Sequence, residues 1–155
     1  MGLINFIKNA GEKIFGKSEE KKEIEKADLI AAHIKKYGFN TNEIMVVVDD
    51  EKVTLSGNVD TYDTKNKIIV IAGNIEGISE VEDRLLVIAP VANTPVEPAK
   101  QYYTVKKGDY LSKIAKEMYG NANKYPIIFE ANKPMLKNPD LIYPGQVLII
   151  PSQEN

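Results

Sequence analysis

The apolar positions Leu3, Phe6, Ile7, Ala10, Ile14 and Phe15 fall at helical spacing and predict a short helical lead, interrupted by Gly11 and Gly16. A charge run from Lys17 to Glu23 follows and reads as a solvated connection or a first helical turn. The helical period returns from Ile24 to Tyr37, with Ala27, Ile30, Ala31 and Ile34 on one face, and Gly38 closes it. His33 lies beside that stripe and reads as a flank residue without a function. Ile44–Val48 is a β-branched run, and in Lys52–Gly57 the apolar Val53 and Leu55 alternate with polar neighbours, the pattern of a half-buried strand. Between them, Asp49, Asp50 and Glu51 lack the spaced oxygen ligands and distal glutamate of a calcium loop, so they are expected to form a hairpin tip. A second amphipathic helix runs from Thr61 to Ala72, and a third strand from Val81 to Val87.

The stretch Gly73-Asn74-Ile75-Glu76-Gly77-Ile78 joins that helix to that strand. Gly73 stands where a left-handed C-cap belongs, a conformation glycine enters without a Cβ penalty. A helix ending here leaves its last carbonyls without intrahelical partners, at the negative end of its dipole. The lead, Leu3 to Ala10, likewise runs into Gly11. Two such glycine-ended segments brought together would form a cage of carbonyl oxygens, a chemistry for a hard, weakly charged cation. By itself the feature is unspecific, since roughly a third to a half of helices end in such a cap.

Residues 89–100 hold three prolines and no periodicity, the composition of an extended linker between domains. Beyond it, Tyr103-Thr104-Val105 reads as a strand, Lys107-Gly108-Asp109 as a turn, and Asp109 as the N-cap of a helix Tyr110–Tyr119 with Leu111, Ile114, Ala115 and Met118 on its face. A second helix spans Asn121–Ala131, with Pro126 tolerated near its first turn, and Pro144-Gly145 turns the chain into a strand, Gln146–Pro151.

Composition narrows the chemistry. There is no cysteine and a single histidine, which removes disulfides, thiolate catalysis, nearly every zinc constellation and the usual general base. No nucleophile–base pair, phosphate loop or metal cluster is visible, so the chain is not expected to be an enzyme. A formal net charge of −2 argues against a nucleic-acid partner. Residues 1–89 carry 12 basic and 16 acidic side chains and residues 90–155 carry 8 and 6, so the two parts attract one another weakly. With no 18-residue apolar run, no transmembrane segment is expected. The first residues match neither a secretion signal nor the myristoylation pattern, so a cytoplasmic protein is expected; a monomer is expected as well.

The order helix, strand, strand, helix, strand, with Val53-x-Leu55-x-Gly57 and Gly77-Ile78-x-x-Val81, resembles the BON domain family. Tyr103-x-Val105-x-x-Gly108-Asp109-x-Leu111-x-x-Ile114-Ala115, then Asn132, then Ile142-x-Pro144-Gly145-Gln146-x-Leu148-x-Ile150-Pro151, resembles the LysM family from end to end. The implied fold is α+β in two small domains. A helical lead (1–23) precedes a BON domain of αββαβ order (24–89), a Pro-rich linker (90–101) and a βααβ LysM domain (102–151).

LysM resemblance implies binding of N-acetylglucosamine-containing glycans, in a groove between Gly108, Asp109, Tyr110 and Leu111 on one side and Leu141, Ile142 and Tyr143 on the other. A cytosolic protein does not meet mature peptidoglycan, which suggests that LysM serves instead as a partner for the BON part of the chain. The whole arrangement of Met-Gly-Leu-x-Asn-Phe lead, BON, linker and LysM resembles a family of small bacterial potassium-binding proteins, although residues 16–60 diverge from it. That resemblance implies K⁺ held by the main-chain carbonyls of Ile7, Ala10, Glu12, Gly73, Ile75 and Ile78. It makes the expected function that of a cytosolic potassium sensor in which the ion compacts BON against LysM. The alternatives are a glycan-binding adaptor using the LysM groove and a membrane-associated protein inserting Phe6 and Ile7.

Overall fold

A computed structural model describes residues 2–15, 22–88 and 100–152. The chain begins with a strand, β1 (Gly2–Asn5), followed by α1 (Glu23–Lys36), the hairpin β2 (Ile44–Asp49) and β3 (Lys52–Val59), α2 (Tyr62–Gly73) and β4 (Glu80–Val87). These strands form one sheet in the order β1-β4-β3-β2. Its β3–β4 pair is parallel and bridged by α2, while β2 pairs with β3, and β1 with β4, antiparallel. The second unit is β5 (Lys100–Thr104), α3 (Leu111–Tyr119), a 3₁₀ turn (Ala122–Lys124), α4 (Tyr125–Ala131) and β6 (Val147–Pro151), with β5 and β6 antiparallel. The molecule is thus mixed helix and sheet in the expected order. The Pro-rich stretch and most of the charge run lie outside the described residues.

The lead departs from its expectation. Instead of a helix, its first residues form β1, which pairs Leu3 with Glu82 and Ile4 with Val81. The same apolar residues also satisfy a period of two: Ile4 and Phe6 face the core, while Leu3 and Ile7 remain 53% and 48% exposed. An isolated helix this short is marginal in water, whereas the free edge of β4 supplies a full set of backbone partners. A nearby sheet edge decided what the local pattern left open.

Two smaller expectations also change. Asp109 is not the cap of α3; Tyr110 occupies that position with no side-chain cap bond. The Asp109 carboxylate instead closes its own turn, accepting from Lys106 N at 2.9 Å and the Tyr103 hydroxyl at 2.6 Å. The predicted helix over 121–131 is divided into the 3₁₀ turn and α4, with Pro126 at the start of α4, where a missing N–H costs least. The acidic triplet is a hairpin tip, as expected; Asp50 takes a φ of 56° there and its N–H donates to Glu23 Oε2.

Each unit has its own buried cluster, but the clusters meet. Val147 of β6 is buried in the first, together with partly buried Tyr102 and Met135. Residues Ile68 to Gly73 of α2 are buried all round, because that helix has the sheet on one side and β6 on another.

Candidate functional site

The candidate site is the junction of residues 6–12 with the turn 73–78. A ladder of main-chain bonds laces the two together. Phe6 N donates to Ser79 O, Gly77 N to Lys8 O, Glu12 N to Asn74 O and Glu76 N to Glu12 O, at 2.7–3.0 Å. Glu12 and Ile75 form an isolated parallel bridge. Both implied ligand segments are therefore neighbours, although 61 or more residues separate them in sequence.

The carbonyls within this ladder fall into two sets. Ile7 O accepts from Ala10 N, Glu12 O from Glu76 N and Ile75 O from Ile78 N. Among the described residues, the carbonyls of Ala10, Gly73 and Ile78 accept no backbone hydrogen bond. Gly73, Asn74, Ile75 and Ile78 of the turn are buried, while Glu76, Gly77, Ala10 and Gly11 are partly exposed. Carbonyls left without an N–H partner, two of them on buried residues, have lone pairs to offer a cation. Among the described residues no cluster of acidic or histidine side chains could hold a metal ion.

Glycines make the approach possible, for different reasons. Gly11 has a φ of +100°, and a Cβ there would stand 2.6 Å from Asn74 C. Gly77, with a φ of +103°, supplies the left-handed residue of the turn. Gly73 does not, contrary to its expected cap role. It is the last residue of α2, Asn74 is the C-cap, and a Cβ on Gly73 would lie 2.1 Å from the Phe6 ring. Phe6, only 6% exposed, occupies the space a side chain would need.

Side chains hold the lead in place. The Glu12 carboxylate lies 2.8 Å from Nε2 of His33 on α1 and accepts at 2.8 Å from the hydroxyl of Tyr37, the residue that caps that helix. His33, read from sequence as an idle flank, is buried and packs edge-on against Tyr37. Lys8 pairs with Glu51 of the hairpin at 2.9 Å on the exposed rim. The hydrogen bond from His33, with that from Tyr37, outweighs burial and holds the Glu12 carboxyl below its ordinary value of 4.5. A carboxyl depressed on folding stabilises the native state above its unfolded value, and the contribution disappears as pH falls through the lower folded value. Accordingly, Glu12→Gln should cost about 1 kcal/mol at pH 7, discounted for the half-exposed site. Thermal unfolding from pH 7 downward checks this; the difference between wild type and variant should shrink as the pH falls below the ordinary carboxyl value.

The second unit closes over the same junction. A Cβ on Gly145 would meet Ala10 Cβ at 2.5 Å, so the turn before β6 rests on the lead. Burial, with the nearby charge of Glu12, raises the Tyr143 hydroxyl above its ordinary value. Of the residues expected to line a glycan groove, Leu111 is in the core of the second unit and Ile142 packs partly against it. Asp109 is engaged within its turn, and Gly108, Tyr110 and Leu141 are exposed. Sequence reasoning missed Asn74, whose side chain donates to Val147 O and accepts from Val147 N, each at 2.8 Å. An asparagine inside the Gly73–Ile78 turn was the available signal, but its partner is 73 residues away.

Residues 21–89 match the BON domain family and residues 103–151 the LysM domain family. The chain is 44% identical over 155 residues to an Escherichia coli protein named potassium binding protein Kbp, an alignment covering 99% of this chain and all of that one. It is also 36% identical over 115 residues to an uncharacterized protein of Deinococcus radiodurans, covering 71% of this chain and 45% of the other. No helix among the described residues is long and apolar enough to cross a membrane.

Proposed function

The chain belongs to the same BON–LysM family as the Escherichia coli potassium binding protein, and on that footing we propose that it binds K⁺ at the junction of the lead with the 73–78 turn. The ligands are the main-chain carbonyls of Ile7, Ala10, Glu12, Gly73, Ile75 and Ile78. Two hydrogen-bonded segments that leave the carbonyls of Ala10, Gly73 and Ile78 without N–H partners are the observation that carries this reading. Neutral carbonyl dipoles can replace the hydration shell of a monovalent ion. The bound ion would in turn supply the positive charge those oxygens lack.

The protein is a binding protein and not an enzyme, and it acts as a cytoplasmic monomer that senses potassium. The ion binds the compact arrangement of BON and LysM more tightly than the open one, which is the only way its binding can shift their balance. Calorimetric titration of potassium-free protein with KCl, against NaCl at matched ionic strength, tests the assignment. Saturable heat with KCl and none with NaCl is the expected result. Flat traces for both salts would overturn it and return the LysM glycan adaptor to first place, to be tried with chitooligosaccharide.

A further inference from the structure

Strand β6 is the edge of a two-stranded sheet. Its partner β5 uses one side of it, and an edge strand presents unpaired N–H and C=O groups on the other. Here that outer side is completed by two asparagine side chains. Asn132, within LysM, accepts from Ile149 N at 2.8 Å and donates to Ile149 O at 2.9 Å. Asn74, from BON, makes the same pair of bonds to Val147, two residues earlier on the strand. A carboxamide carries one carbonyl and an NH₂, so it can stand in for the peptide group of a neighbouring strand. LysM thus completes this edge at Ile149, and at Pro151 through the Tyr119 hydroxyl, and takes its completion at Val147 from BON.

Asn74 is unlike Asn132 in what its backbone does. Its N–H donates to Val70 O and caps α2, and its carbonyl accepts from Glu12 N of the lead. Its flanking residues are Gly73 and Ile75. One buried residue, 5% exposed, therefore joins α2, the lead and the LysM strand, with both ends of its side chain and both of its peptide groups engaged.

We propose that Asn74 is the positioning residue that couples potassium binding to the docking of LysM, by completing the edge of β6 only when the 73–78 turn holds its ion-bound shape. This rests on the potassium reading above. A shift of the Gly73 and Ile75 peptides on losing the ion turns the peptide between them, and the carboxamide leaves Val147. Conversely, docking at Val147 holds that peptide still, so LysM raises the affinity of a site to which it contributes no ligand. Such coupling is reciprocal by thermodynamic necessity.

The test measures K⁺ affinity by calorimetry and overall dimensions by small-angle scattering, without and with saturating KCl. Full-length wild type, Asn74→Ala and Asn74→Asp are compared. Alanine removes both bonds; aspartate keeps the acceptor for Val147 N and loses the donor. Wild type should bind and contract. Asn74→Ala should bind roughly tenfold more weakly, as the loss of two ordinary hydrogen bonds implies, and should fail to contract at saturation. Asn74→Asp should bind and contract no better than Asn74→Ala, because its buried carboxylate faces Val147 O with no donor between them, and amide spectra of the LysM residues in both variants separate loss of coupling from loss of fold. Wild-type affinity with full contraction in Asn74→Ala overturns the coupling and leaves the potassium site standing. Weaker binding with full contraction also overturns it, since Asn74 then merely shapes the turn. A wild type that takes up no potassium overturns both readings.

Discussion

Deleting residues 1–11 is expected to abolish potassium binding while LysM stays folded. The deletion removes the carbonyls of Ile7 and Ala10 outright and frees Glu12 from its approach to Asn74. It also empties the space under Gly73 that Phe6 fills, and a buried phenylalanine lost to nothing costs about 3–5 kcal/mol. The edge of β4 loses β1 as well. LysM has a separate core around Ile114, Ile128, Leu148 and Ile150, which does not draw on the lead. Calorimetry with KCl reads the first effect, and amide spectra of the LysM residues read the second. Undiminished affinity in the truncated protein would sink the assigned cage.

Gly73→Ala separates two reasons for one glycine. Were Gly73 there for a left-handed backbone, alanine would be strained by its φ; were it an ordinary helical glycine, alanine would stabilise by up to about 1 kcal/mol. Its backbone is not left-handed, but a methyl group there would stand 2.1–2.3 Å from three atoms of the Phe6 ring. Overpacking of this kind costs about 1–3 kcal/mol, and the displaced ring carries the lead away from the turn. The expected result is a lowered unfolding midpoint with potassium affinity reduced roughly tenfold or more, since each 1.4 kcal/mol lost from lead docking is a factor of ten. The double variant Phe6→Leu with Gly73→Ala should recover part of both losses, because neighbours in contact couple. If the double variant were as impaired as the two single changes summed, the ring contact would not be the cause.

Much of the architecture was legible in the residue pattern. Ile30 and Ile34 on one face of α1, Val53 and Leu55 alternating in β3, and the near-continuous LysM pattern each place a local period on a matching element. Those periods are set by 3.6 residues per helical turn and two per strand, and need no distant partner to be read. The run Ile68-Ile69-Val70-Ile71-Ala72, read as part of an amphipathic helix, is instead buried on more than one side. The candidate site was less legible. Its two segments could be marked by their glycines, but main-chain ligands leave little trace in side-chain chemistry, and the implied ligand set came from family resemblance.

By itself the sequence determined the two domains, their order, nearly all of their elements and the lack of cysteine. Tertiary structure alone decided that the lead is a strand, that Gly73 makes room for Phe6, that His33 and Tyr37 hold Glu12, and that Asn74 completes β6. The physical reason is the same in each case. Local periodicity reports which face of a segment is apolar, whereas these four outcomes depend on a backbone edge, a ring or a side chain arriving from a part of the chain 21 to 81 residues away.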